Sequence, residues 1–253
     1  FKIILNEAKS KGFAEPNPKS DLNGEDVKSK IKILSALAFK NKISKNRILM
    51  EGIENIDLTD IINANNFGFK IKLLAKSKII NNRLLECVHP SLIEKNNYLA
   101  NINGILNAVI ISGDPVGQSV FQGEGAGANP TTSSIVSDLC SILRGNIKYP
   151  FGVSSKLRKK VKIFDYLKYK CSGYLRIEVV DKYGVLSSIT NILARNKISI
   201  KRVSQIPNKK NKTASIVIIT HKSFEKNYKN CISILKKSRY VLKKPVYIRI
   251  ENI

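Results

Sequence analysis

The chain has no tryptophan, one methionine and only two histidines in 253 residues. Its 19 Asp and Glu face 44 Lys and Arg, a formal net charge of +25. These shortages exclude several chemistries. His89, His221 and the four cysteines, Cys87, Cys140, Cys171 and Cys231, show no metal-ligand spacing. Each cysteine lies in or near an apolar segment, the pattern of reduced core thiols in a cytoplasmic protein. His89 stands directly before Pro90 and reads as a packing residue rather than a general base. His221 reads as a solvent-facing strand end. No apolar run is long enough for a transmembrane helix, and no signal peptide opens the chain.

The excess of positive charge does not by itself imply a nucleic-acid partner. The basic residues are 35 Lys and only nine Arg, and Ile and Asn are also abundant. An AT-rich coding sequence supplies those three residues. Bidentate base contacts favour Arg, and single strands need stacking aromatics. Neither is concentrated here. Only Lys156-Leu-Arg-Lys-Lys-Val-Lys162 forms a basic cluster. The charge allows weak, salt-sensitive, non-specific attraction to nucleic acid and no more.

Residues 12–30, GFAEPNPKSDLNGEDVKSK, collect Glu15, Asp21, Asp26 and Lys30. Pro16 and Pro18 predict an extended or turning loop, and Asn23-Gly24 a turn and helix cap. A helix is expected over 25–38. At about 100° per residue, Val27, Ile31, Ile33, Leu34, Leu37 and Ala38 form one broad apolar sector. Lys30 falls inside it with Asp26 beside it, whereas Glu25, Lys28 and Lys32 point the other way. A lysine in an apolar stripe is desolvated, snorkels, or faces a polar cavity. Such a cavity, lined by carboxylates and one ammonium, suits a small zwitterion. The same spacing also fits a plain i,i+4 ion pair on a solvated face.

The segment resembles the substrate-binding signature of homoserine dehydrogenases: Gly, aromatic, small, Glu, any, Asp, Pro, then Asp-Leu-x-Gly-x-Asp-x-x-x-Lys. Glu15, Asp21, Asp26 and Lys30 stand at matching positions, and Asn17 replaces the usual Asp. The run from Val88-His-Pro to Gly104 and the loop Gly123-Glu-Gly-Ala-Gly127 are similar to two further family segments, with Glu124 in place of Pro. The resemblance covers the whole chain, as the back part of such an enzyme. Phe1 opens the chain within what reads as a helix, and no glycine fingerprint of a dinucleotide fold appears near the start. We therefore expect a fragment whose N-terminal dinucleotide domain lies elsewhere, inactive by itself.

Further strands are expected over 48–53, 69–76, 84–88, 104–113 and 117–122, and a helix over 57–64. The glycine loop should open a helix capped by Asn129, with Pro130 at its first position. From 173 the order is β-α-β-β-α-β, a ferredoxin-like sandwich. Asp181-Lys-Tyr-Gly-Val-Leu-Ser187 resembles the first turn of an ACT domain, with Tyr183 for Pro. Gly184 allows close approach of an amino-acid carboxylate; the same turn could instead serve assembly alone.

The expected fold class is α/β (α+β): a mixed-sheet catalytic and dimerisation domain at 1–148, a linker at 149–172, and a ferredoxin-like βαββαβ ACT domain at 173–253. The resemblance implies interconversion of L-aspartate 4-semialdehyde and L-homoserine with NADP or NAD, in threonine, methionine and isoleucine biosynthesis. Lys30 and Asp26 would act in catalysis, and Glu15, Asp21 and Asp26 would bind substrate. Gly123, Gly125 and Gly127 would close on the cofactor, and Asp181, Gly184 and Val185 would bind an amino-acid effector such as threonine. A homodimer or homotetramer is expected. The alternatives are a non-catalytic amino-acid sensor or assembly protein and a basic nucleic-acid-binding protein.

Overall fold

A computed structural model describes residues 2–12, 17–45, 47–125, 127–146, 148–208 and 211–253. The chain opens with helices α1 (Lys2–Ser10), α2 (Lys19–Asn23) and α3 (Glu25–Phe39), then strand β1 (Leu49–Met50) and helix α4 (Leu58–Asn66). A long hairpin follows, β2 (Phe69–Ile80) and β3 (Arg83–Glu94), then the separate hairpin β4 (Leu106–Gly113) and β5 (Gly117–Glu124), and helix α5 (Ala128–Leu143). The remainder is β6 (Lys162–Ile163), β7 (Lys170–Val180), α6 (Val185–Arg195), β8 (Ile200–Asn208), β9 (Thr213–Thr220), β10 (Ser223–Phe224), α7 (Glu225–Leu235) and β11 (Val246–Ile250).

Three expectations need correction. Residues 17–24 are not all loop: α2 forms directly after Pro18, where the missing N–H costs a helix nothing. α5 starts before Asn129, with Gly127 as its N-cap at φ 109°. The β2–β3 hairpin runs well past the apolar alternation, because β3 passes through His89 and Pro90 with Pro90 opposite Leu73. The interior of β3 is buried throughout, so its sequence lacks a polar alternation to follow.

One edge of β3 pairs with β2. The other is shared in succession by three parallel partners: β6 at Arg83 and Leu84, β1 at Cys87 and Val88, and β11 at Ser91 and Leu92. β11 in turn pairs with β7, β7 with β9, and β9 with β8. Within the second half the strand order β11-β7-β9-β8 is that of a βαββαβ ferredoxin-like sheet. A nine-stranded sheet therefore runs without interruption from the first half of the chain into the second.

Both faces of its second half are covered. On one, α6 and α7 bury Val185, Ile189, Leu193, Tyr228, Cys231 and Leu235 against β7 and β9. On the other, Tyr174, Val217, Ile219, Ile248 and Ile250 pack with Ala64 of α4 and Leu92 of β3. α4 begins with a capping box between Asp57 and Asp60. The buried Asp60 takes hydrogen bonds from Tyr174 (3.0 Å) and from Arg176 Nε (2.6 Å) and Nη2 (2.9 Å). Arg176 also donates to Asp57 at 2.6 Å and Glu178 at 3.1 Å. Burial opposes the charge on Asp57, but the Asp60 amide and the Arg176 guanidinium outweigh it and hold its carboxyl below its ordinary range.

Removing Asp60 takes from Arg176 its fully buried partner and leaves Asp57 and Glu178, so Asp60→Ala should cost about 3 kcal/mol in urea unfolding. Glu178 is 24% exposed, and Glu178→Ala should cost under about 1 kcal/mol. Similar losses at the two positions would contradict this account.

Candidate functional site

Gly24 joins α2 to α3 with φ 86°, and Asn23 Oδ1 accepts the Glu25 N–H at 2.9 Å. The joint is pressed against the sheet. A Cβ on Gly24 would stand 3.2 Å from Val88 Cγ1. A Cβ on Gly52 would fall onto the Leu22 carbonyl oxygen, so only glycine fits there. Ile53 N–H donates to that same oxygen at 2.9 Å. The start of α3 is thus fixed by the loop that follows β1.

α3 is turned differently from the helical-wheel expectation. Ser35 and Ala36 are its buried residues, and Ser77 of β2 donates to Ser35 Oγ at 2.9 Å. Small residues let the helix lie close to the sheet. Glu25 pairs with Lys28, and Lys32 donates to Ser44 O at 2.7 Å, so these residues are partly covered instead of pointing freely outward. Ile33 and Leu37 are exposed, with Lys30 and Asp26 on the same stripe. Lys30 Nζ lies 2.8 Å from Asp26 Oδ2 and its side chain is 60% exposed. The apolar sector spans more of the helix than the sheet can cover. Lys30 and Asp26 therefore form an ion pair on an accessible apolar stripe, the i,i+4 geometry set beside the cavity reading above.

Asp21 lies half-buried on α2, one helix away from this pair. Glu15 lies outside the described residues. Gly123 sits in β5, and Gly125 packs so closely on Asn107 that a Cβ would overlap its side-chain amide. Gly127 caps α5 without any side-chain cap bond, leaving first-turn N–H groups available. Among the described residues, no hydrogen bond or ion pair joins this loop to Asp21, Asp26 or Lys30. Cys140, on α5, is exposed, which corrects its reading as a core thiol; Cys87, Cys171 and Cys231 are buried. Burial pushes each of those three thiols up to about 12.

At the expected effector turn, Gly184 adopts φ 78° and caps α6. Asp181 accepts from Gln205 Nε2 at 3.3 Å. The Val185 side chain is buried in the core, so only its backbone could meet a ligand. A shallow cavity of about 360 Å³ lies along α6, lined by Gly184, Ser187, Ser188, Asn191, Ile192 and Arg195.

A buried polar junction escaped the sequence reading. Arg249 of β11, 1% exposed, donates Nη1 to Glu51 Oε2 at 2.6 Å and Nη2 to Oε1 at 3.1 Å. It also donates Nε to Glu225 at 3.2 Å and pairs with that carboxylate through Nη2. Burial works against its charge, but the two carboxylates outweigh this and hold the guanidinium pKa well above its usual value. Glu251 meets Lys76 and Tyr169, and His89 Nε2 lies 3.7 Å from it. His89 Nδ1 faces Ser91 Oγ at 2.9 Å, and Nε2 faces Tyr166 OH at 3.1 Å. A signal was available: Tyr174-Leu-Arg-Ile-Glu178 and Tyr247-Ile-Arg-Ile-Glu251 are the same pattern twice, each with an arginine among apolar strand residues.

The family model described as homoserine dehydrogenase matches residues 1–140, which hold Asp21, Asp26, Lys30 and the glycine loop. The chain belongs to the homoserine dehydrogenase family. An ACT domain model matches residues 173–239, the βαββαβ part. Homoserine dehydrogenases of Helicobacter pylori and Neisseria gonorrhoeae are 36% and 34% identical to this chain over its full length. A solved homoserine dehydrogenase from Thiobacillus denitrificans is similar with a TM-score of 0.88 and 33% identity, over 99% of this chain and 58% of that one. The chain spans 59% and 60% of the two curated relatives. The mixed-sheet fold with a following ACT domain agrees with the expectation. No helix among the described residues is long and apolar enough to cross a membrane.

His89 gives a pH test. Burial first, then the charges of Arg249 and Lys76, hold its pKa well below 6.5, against the pull of the Pro90 carbonyl. The unfolded chain therefore binds a proton that the folded one refuses. The resulting stability is complete above about pH 6.5 and drains as the pH falls toward the folded value, at up to about 1.4 kcal/mol per unit. His89→Gln should flatten the slope of unfolding free energy between about pH 7 and 5.5. An unchanged slope in urea titrations would refute the assignment.

Proposed function

We propose that the chain supplies the substrate and regulatory parts of an NAD(P)-dependent homoserine dehydrogenase, interconverting L-aspartate 4-semialdehyde and L-homoserine on the route to threonine, methionine and isoleucine. The observation that carries this is the Asp26–Lys30 pair, 2.8 Å apart at the start of α3, inside the segment matched by the family. The reaction needs an ammonium beside an oxygen that alternates between carbonyl and alkoxide. Lys30 would hold or move the proton at that oxygen. Its accessible position suits a group that meets substrate. Asp26 fixes the direction of the Lys30 ammonium, and with Asp21 and Glu15 would orient the substrate's ammonium and hydroxyl.

The residues present fit part of a dinucleotide site. Gly127 presents the uncapped N-terminus of the 16-residue α5, which suits the anionic part of NADP or NAD, next to Gly123 and Gly125. When bound, the dinucleotide supplies or accepts the hydride. The exposed Ile111, Val116, Val120 and Phe121 of the β4–β5 hairpin favour assembly as a homodimer or homotetramer. The cytoplasm suits the reduced thiols. The ACT part would bind an amino-acid effector, threonine by resemblance, at the Asp181–Gly184 turn and the backbone of Val185.

In a protein that also carries the dinucleotide part, Lys30→Ala should lower kcat for homoserine oxidation by about 100-fold with folding intact. Lys28→Ala should stay near the parent rate, because Lys28 lies off the Asp26–Lys30 stripe of α3 and pairs with Glu25. Equal losses at both positions would remove Lys30 from the mechanism.

The effector reading is checked by calorimetry on the 253-residue chain. Threonine at millimolar concentration should bind, and Gly184→Asn, which tolerates the left-handed backbone but places an amide at the cavity mouth, should weaken it by about 10-fold. No heat with threonine, methionine or isoleucine would leave the ACT part an assembly element.

A further inference from the structure

Glu51 occupies an unusual position between the two halves of the chain. Its carboxylate is gripped bidentately by Arg249, which belongs to the last strand of the ACT part. Its own N–H donates to Val88 O at 2.9 Å. The next residue, Gly52, lies against Leu22 and Asn23, and Ile53 N–H is bonded to Leu22 O. Three consecutive residues thus connect Arg249 to the joint from which Asp26 and Lys30 project.

The guanidinium is held on several sides. The rings of Tyr247 and Tyr166 lie 4.9 and 5.6 Å from its carbon, and the buried Glu225 holds its other edge. Tyr247 OH donates to Glu225 at 3.1 Å and fixes that carboxylate too. Arg249 would therefore remain charged and compensated by Glu225 if Glu51 were removed. Glu51 is 42% exposed, and a half-exposed second carboxylate adds little to stability. Bidentate geometry adds direction: it sets where the 51–53 loop stands relative to β11.

We propose that Glu51 is a positioning residue, which takes its placement from Arg249 of the ACT strand and uses it to hold the Leu22–Gly24 joint, and so Asp26 and Lys30, in register with the sheet. The catalytic side of the proposal rests on the reading of Asp26 and Lys30 given under Proposed function. Its structural side does not.

Hydrogen exchange on the 253-residue chain tests the structural side. Glu51→Ala should raise exchange of the amides of residues 22–27 by about 10-fold or more, while those of residues 216–219 in β9 stay protected. Glu51→Gln keeps an acceptor for Arg249 and should restore most of the protection. Glu178→Ala, which removes a carboxylate from the other buried arginine, should leave residues 22–27 unchanged. Unaltered exchange at 22–27 in Glu51→Ala, or an equal rise in β9, overturns the proposal.

In a protein that also carries the dinucleotide part, Glu51→Ala should raise KM for homoserine by about 5-fold or more and leave KM for the dinucleotide unchanged, with Glu51→Gln rescuing it. Unchanged homoserine KM alongside an inactive Lys30→Ala overturns the positioning role. An active Lys30→Ala shows instead that the reading of the site has failed, whatever the exchange data give.

Discussion

β3 offers one edge to three strands that come from distant stretches of the chain. β6, β1 and β11 each add two residues of parallel pairing to it, at successive positions. Segments this short cannot hold themselves in place by backbone bonds alone. Each is kept there by what its ends carry. β1 is anchored by the loop running on to Glu51 and Gly52. β11 is anchored through Arg249 and Glu251, and through its longer antiparallel pairing with β7. The ACT part meets the first half by sharing a sheet, and α4 covers the face that a free ferredoxin-like sandwich would leave open.

Two buried arginines mark this junction, and each is compensated by carboxylates from both halves of the chain. Arg176 on β7 reaches Asp57 and Asp60 at the start of α4. Arg249 on β11 reaches Glu51 after β1 and Glu225 at the start of α7. Burying such charges brings no large net stability, since apolar residues of equal volume can do as well. What they contribute is direction. A fork that must meet two carboxylates accepts one relative placement of the elements that carry them, whereas apolar contacts tolerate sliding.

That placement bears on the candidate site. Lys30 and Asp26 stand on the stripe of α3 that the sheet leaves uncovered, together with Ile33 and Leu37. A group that exchanges a proton with a small zwitterion has to be reachable, and the sheet secures the helix from behind through Ser35 and Ala36. At the candidate effector turn the division is similar: the Val185 side chain anchors α6 in the core, while Gly184 and Ser187 face the solvent.

Much of this was legible in the sequence, because the signals were local. Proline, glycine and the 3.6-residue period mark α3, α6 and α7, and the clustered Asp21, Asp26 and Lys30 mark the candidate site through residues close in the chain. The βαββαβ order follows from alternation and turns alone. What the sequence left open depended on contacts between distant residues. Which flank of the broad apolar sector of α3 faces the sheet was decided by Ser35 meeting Ser77 and by Ala36, not by the hydrophobicity of Ile33 or Leu37. The length of β3 was hidden because a strand buried on both faces shows no alternation, and Pro90 looks like a stop. The repeated Tyr-x-Arg-Ile-Glu pattern flags the two arginines but not their partners, because Glu51, Glu225 and Arg249 are far apart in the chain, and a charge in a strand reads as solvent-exposed until its partner is known. The sequence by itself determined most of the elements, the family and the candidate residues for the chemistry. Only the tertiary structure decided which faces meet, because burying a charge is tolerable only where a partner from another part of the chain arrives to neutralise it.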